Sequence, residues 1–232
     1  MTTSSTVIPV TTIPPLKRGD RLARAEFERR YHVMPWVKKA ELIEGVVYMP
    51  SPLRAKSHGE PHAYIMGWLA VYTAATPGVG LYDNATVRLD ADNEPQPDAV
   101  LRLETGGRSR ITEDDYLEGA PELIVEIAAS SASLDLHDKF KIYLRNRVQE
   151  YIVWRVYDRQ LDWFGLEDDN YVLLEPDAAT VIRSRLFPGL WLDRSALLGG
   201  NLSKVLEVLQ QGLATAAHGD FAQRFNAGRP ES

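Results

Sequence analysis

Apolar and polar residues recur with two different periods along this chain, and the period marks where helices and strands belong. From Asp20 to Tyr31 the apolar positions Leu22, Ala25, Phe27 and Tyr31 predict a short helix, with Asp20 placed to cap it. Ala40 to Met49 reads as a hairpin, with Glu41-Leu42-Ile43 as one arm, Glu44-Gly45 as the turn, and Val46-Val47-Tyr48-Met49 as the return. Pro50-Ser51-Pro52 stops it. His58 to Ala75 carries Ile65, Leu69 and Tyr72 at helical spacing and ends at Pro77-Gly78. Leu81 to Leu89 alternates weakly and reads as strand, followed by a turn over Asp90 to Asn93. Asp98 to Leu103 and Leu123 to Ile127 are short, nearly continuous apolar runs of the kind that form buried strands. Leu134 to Arg145 reads as a helix with Leu136, Phe140 and Leu144 facing inward. Tyr151 to Val156 and Gln160 to Phe164 form a second hairpin around Asp158-Arg159. Tyr171 to Leu174 and Thr180 to Arg183 are further short strands, Leu202 to Leu213 is a terminal helix, and the chain after Ala217 is expected to fray. This order predicts an α/β or α+β fold, a mixed central β-sheet flanked by helices.

Length and composition narrow the picture. A chain of 232 residues fits one principal domain, read here as 17–200, with a Thr-, Ser- and Pro-rich flexible leader over 1–16 and a C-terminal helix and tail over 201–232. No apolar run approaches the roughly 18 residues a membrane helix needs, and the N-terminus lacks a basic stretch followed by an apolar one, so a cytoplasmic, membrane-free protein is expected. The absence of cysteine excludes disulfides, thiolate catalysis and Cys-ligated zinc. The net charge of -6 argues against a dedicated high-affinity DNA-binding module. It is compatible with an enzyme that meets nucleic acid transiently, and with a carboxylate-rich metal site.

The candidate chemistry lies in three adjoining stretches. Asp98 follows Pro97, which cannot donate to a sheet ladder and favours a strand start; the plain alternative is turn chemistry. Glu126 interrupts Leu123-Ile124-Val125 and Ile127-Ala128-Ala129, where a carboxylate needs a partner unless its face is solvated. Two such acids on neighbouring strands form an oxygen site suited to Mg²⁺ or Mn²⁺. Lys139, with Tyr143 one turn later on the same helix face, could offset charge on a phosphoryl group or simply be a surface lysine. Glu41 is either a third acid at that site or an edge charge. His58 could contact phosphate, move a proton or cap a helix. His58 and His62 have zinc-ligand spacing, a weak signal without a third ligand.

Taken together, Glu41 with Glu44-Gly45, Met49-Pro50-Ser51-Pro52, His58-Gly59, Gln96-Pro97-Asp98, Val125-Glu126, Asp135 with Lys139 and Tyr143, and Val148 with Glu150-Tyr151 resemble the Uma2 family (DUF820) over roughly Phe27 to Leu192. That family resembles the PD-(D/E)xK nuclease superfamily. The resemblance implies a restriction-endonuclease-like core and hydrolysis of DNA phosphodiester bonds. Asp98 and Glu126 would ligate Mg²⁺ or Mn²⁺, and Glu41 would be a further acid of the site. The lysine that usually stands two residues after the glutamate is replaced here by Ala128, and the resemblance assigns its role to Lys139 on the next helix. It also implies a homodimer, for which the aromatics between Tyr151 and Phe164 are expected to offer exposed apolar surface. A nuclease-fold protein that binds without cutting is the alternative.

Overall fold

The computed structural model of the protein describes residues 13–49, 54–129 and 134–226. Most of the leader expected over 1–16 and the Pro50-Ser51-Pro52 stop lie outside the described residues. Leu16, at the leader's end, is buried in a small core with Phe27, Met34, Leu42 and Val47.

Helix α1 spans Arg24–His32. It begins later than the pattern predicted and is not capped by Asp20. Arg21 pairs with Val46 as an isolated bridge, so the chain is still extended there, and the Asp20 carboxylate accepts the Lys17 amide instead. Strands β1 (Glu41–Ile43) and β2 (Val46–Tyr48) form the expected hairpin. Glu44 and Gly45 both have positive φ (51° and 70°), as a tight two-residue turn between antiparallel strands requires. A π-helical turn, Ala55–Gly59, leads into α2 (Glu60–Ala74). The weakly alternating stretch after it is two strands, β3 (Val79–Asp83) and β4 (Val87–Arg88). Asn84, at φ 49°, turns the chain between them.

Strands β5 (Ala99–Leu103), β6 (Ser109–Ile111), β7 (Leu117–Gly119) and β8 (Leu123–Ala128) follow. A second π-helical segment, Asp135–Lys139, runs into α3 (Phe140–Arg145). Then come β9 (Glu150–Arg155), β10 (Gln160–Glu167), β11 (Asn170–Leu173), β12 (Val181–Arg183) and β13 (Trp191–Asp193). Helices α4 (Arg194–Leu198), α5 (Leu202–Leu213) and α6 (Ala216–Asn226) close the chain.

The central sheet has six strands in the order β11-β10-β9-β8-β5-β3. Neighbours are antiparallel except β8 and β9, which run parallel, so the sheet is mixed as expected. β8 lies inside it and is buried along its whole length. Its odd residues, Leu123, Val125 and Ile127, join the core under α2, α5 and α6. Its even residues Ile124 and Ala128 face Ile142 and Tyr143 of α3, with Ile43 and Val87 alongside. Glu126 shares that second face by the two-residue period of a strand.

Three expectations are adjusted. On the helix carrying Lys139, Leu136 and Phe140 pack on the core while partly buried, but the positions buried outright are Lys139, Ile142 and Tyr143. Of the aromatics from Tyr151 to Phe164, Tyr151, Trp154 and Trp163 are core residues because β9 and β10 are interior strands, Phe164 is half-buried, and Tyr157 in the turn is exposed. The stretch after Ala217 continues as helix to Asn226, since Phe221 and Phe225 pack on the core and the His218 ring bonds the Thr76 hydroxyl at 3.0 Å.

Glu150 begins β9 and is 1% exposed. It accepts from Trp163 Nε1, the Ser184 hydroxyl, and the amides of Arg185 and Leu186, which fastens the segment after β12 to the sheet. Burial raises its pKa, and these donors only partly pull it back.

Candidate active site

Pairing between β5 and β8 runs from Leu101 opposite Leu123 to Ala99 opposite Val125. One further step of that register sets Asp98 opposite Glu126, on the same face of the sheet. The backbone ladder stops there. The Asp98 carboxylate turns onto β8 and takes the Ile127 amide through Oδ2 at 2.6 Å. Pro97, which has no N–H to give, precedes this break, and the side chain fills the hydrogen-bonding position that a continuing strand would have used.

Glu126 is met from the helix side. Lys139 Nζ lies 2.9 Å from Glu126 Oε1, and the Tyr143 hydroxyl donates to the same oxygen at 2.8 Å. Residues 139 and 143 are one turn apart, so both reach down from a single helix face. Lys139 Nζ also lies 2.9 Å from Glu41 Oε1, which accepts the Gln96 amide as well, at 2.8 Å. The lysine therefore bridges an acid of the first hairpin and an acid of the central sheet. Ala128 explains the room for it: a lysine there would project from the same face of β8 as Glu126, and the small side chain leaves that space to the helix.

On the other side of Asp98 stand His58 and Lys39. His58 Nε2 is 3.4 Å from Asp98 Oδ1, an ion-pair contact that does not meet hydrogen-bond geometry, and Lys39 Nζ is 4.0 Å from the same oxygen. Asp98 raises the His58 pKa above the ordinary imidazole value, against the effect of burial. Burial alone would raise the Asp98 carboxyl. The His58 ring, the Lys39 ammonium and the Ile127 amide outweigh it and hold the group below the usual carboxylate range. The His58 and His62 rings, whose spacing resembles that of zinc ligands, stack 5.8 Å apart. His62 turns instead to Asp83 at 3.0 Å and to the Asp98 carbonyl at 3.1 Å.

The lysine ammonium joins Glu41 and Glu126, while Asp98 lies on the neighbouring strand, held by the Ile127 amide, His58 and Lys39; all four residues are 3–4% exposed. Lys39 was not anticipated; its only sequence signal is its place two residues before Glu41, on the same side of an extended chain. Among the described residues no set of three or more His, Asp or Glu side chains forms a ready cation cage. The donor chemistry at Asp98 and Glu126 still fits Mg²⁺, which is commonly held by one or two carboxylates and keeps several waters. No helix among the described residues is long and apolar enough to cross a membrane.

The comparisons with known proteins fall on the same region. The model of the Uma2 family, described as "Putative restriction endonuclease", matches residues 24–195. Among solved structures, "a putative nuclease belonging to DUF820" from Anabaena variabilis ATCC 29413 is similar, with a TM-score of 0.56 and 14% identity. The match covers 75% of this chain and 97% of that one, and at this identity it is a likeness of fold. No curated protein matches.

Proposed function

The chain belongs to the Uma2 family, and from that premise we propose that it is a divalent-metal-dependent nuclease that hydrolyses DNA phosphodiester bonds at the cluster of Asp98, Glu126, Glu41 and Lys139. The observation that carries the reading is the placement of two acids opposite each other where the β5–β8 ladder ends, with a buried lysine reaching one of them from a helix. Surface charges do not assemble in this way by default, because each buried ion costs several kcal/mol in desolvation.

Asp98 and Glu126 are the residues that would hold Mg²⁺ or Mn²⁺. Bound there, the cation would offset phosphate charge and make a water molecule more acidic. The chain's own groups do the rest. The Ile127 amide fixes the Asp98 carboxylate, and Lys139 and Tyr143 fix the Glu126 carboxylate, so both acids are oriented before substrate arrives. Lys139 supplies positive charge where the phosphoryl group gains negative charge. In the overall reaction the oxygen of water bonds to phosphorus, the bond to one sugar oxygen breaks, and a proton ends on that oxygen.

A second reading, a nuclease-fold protein that binds without cutting, is favoured by the depth of the cluster, whose four groups are all at 3–4% exposure. One assay separates the two. Plasmid DNA is incubated with the purified protein and Mg²⁺ or Mn²⁺, beside Asp98→Asn and Glu126→Gln. Cleavage by the parent and a drop of about a hundredfold or more in both variants is expected if the acids bind the metal that drives the reaction. Folded parent protein that leaves both the plasmid and a single-stranded oligonucleotide intact with either metal would select the second reading.

A further inference from the structure

Trp36 is 69% exposed, whereas Trp68 and Trp163 are fully buried, Trp154 is 6% exposed, and Trp191 lies under the Arg183 guanidinium. An indole covers on the order of 200 Å² when buried, so leaving one in water forgoes several kcal/mol. The exposure is built in. Met34, buried beside Leu16, and Val37, packed on the same small core, anchor the turn on both sides of Trp36. The Met34 amide donates to the Tyr31 carbonyl and the Val37 amide to the Met34 carbonyl, while Pro35 restricts the backbone immediately before the indole. The chain then runs through the exposed Lys38 to Lys39 and into β1, which opens with Glu41.

Lys39 sets the distance to the acid cluster. Its ammonium lies 4.0 Å from Asp98 Oδ1 and 3.5 Å from Asn84 Oδ1, and its side chain is 24% exposed, well above the 3–6% of the Glu41, Asp98, Glu126 and Lys139 side chains. It therefore marks the solvent side of the site. Three residues of extended chain span at most roughly 10 Å. The α-carbons of Trp36 and Lys39 are thus at most about three stacked-nucleotide steps apart, at roughly 3.4 Å each, and the two side chains add to that reach.

We propose that Trp36 is a stacking platform for a nucleobase of the substrate strand, with Lys38 and Lys39 carrying the phosphates between that base and the acid cluster. This rests on the nuclease reading and adds a substrate class to it: a strand with at least one unpaired base beside the scissile phosphate. A base inside a duplex presents no free face to an indole, whereas an unpaired base does, and such stacking tolerates any sequence. The flanking cations favour a polyanion over an apolar peptide on this surface.

The test uses the full chain in buffer with EDTA, so that binding is read without cleavage. A short single-stranded oligothymidylate is titrated in while tryptophan emission is followed, and a labelled copy gives the affinity by anisotropy. Stacking predicts quenching by the single strand, weaker binding of a blunt duplex of the same length, about a tenfold or greater loss of single-strand affinity in Trp36→Ala, and near-parental affinity in Trp36→Phe. Unchanged affinity in Trp36→Ala would overturn the proposal. So would an oligomeric state that depends on Trp36, because the indole would then be seated on a second copy of the chain. Cleavage of plasmid and of the single strand, with Mg²⁺ or Mn²⁺, is scored separately. Quenching without any cleavage keeps the platform and removes the nuclease reading, while cleavage with unchanged Trp36→Ala binding does the reverse.

Discussion

Replacing Lys139 by Met keeps most of the side chain's length and removes its charge. Lys139 Nζ stands 2.9 Å from both Glu41 Oε1 and Glu126 Oε1, and all three residues are at most 4% exposed. Without the ammonium, two carboxylates share a buried space. At roughly 5 Å and an effective dielectric of about 20, two unit negative charges repel by about 3 kcal/mol. This agrees with the 3–5 kcal/mol typical of breaking a buried ion pair by removing one partner. For a chain of this size each kcal/mol moves the melting temperature by roughly 2–4 °C, so Lys139→Met should melt about 6–20 °C lower at neutral pH.

The pH dependence of that loss carries the diagnosis. In the variant one carboxyl gains from taking up a proton, so its folded-state pKa rises above the unfolded value. The stability recovered is fully present at low pH and is lost as pH rises through the raised pKa. The deficit should be largest near pH 8 and shrink toward about pH 5, and Glu126→Gln in the Lys139→Met background should restore most of it at about pH 8. Thermal melts followed by circular dichroism measure all of this. A deficit of less than about 2 °C, or one that is the same at both ends of the pH range, would show that the lysine does not neutralise the two acids.

Two further outcomes are expected. Glu94 is 2% exposed, and burial, then contact with the Glu28 carboxyl, raise its pKa from 4.5 to about 8. In that window the folded state holds more protons than the unfolded one, so stability should fall by about 1.4 kcal/mol per pH unit as pH rises; the melting difference between parent and Glu94→Gln should track that slope, and a difference flat from about pH 5 to 8 would refute it. A Cβ on Gly212 would meet the Gly189 carbonyl oxygen and, at 2.9 Å, the Trp191 ring. Gly212→Ala should therefore cost about 1–3 kcal/mol and shift α5 on β13, whereas unchanged melting would mean that this helix–strand contact gives way freely.

Local structure was legible in the sequence wherever the local signal had no competitor. The Glu44-Gly45 turn, the apolar run of β8, the Asp158-Arg159 hairpin and α5 from Leu202 to Leu213 all stand where the pattern put them, because turn chemistry and periodicity act over a few residues. The fold class followed from their order, and Asp98 and Glu126 could be paired as acids on neighbouring strands, whereas Lys139 and Glu41, each with an ordinary surface reading, took their site roles from the family resemblance. The structure decided what depends on distant partners. Asp20 looked like a cap until the bridge between Arg21 and Val46 kept the chain extended. The tail looked free until the core accepted Phe221. Whether Asp98 and Glu126 meet depends on the register of two strands separated by a long excursion through β6 and β7. Lys139 reaches across nearly a hundred positions to Glu41, and the helix face that carries it is chosen by the packing of Ile142 and Tyr143 on the sheet. Side-chain chemistry is written residue by residue, whereas the proximity that makes it a site is a property of the packed sheet.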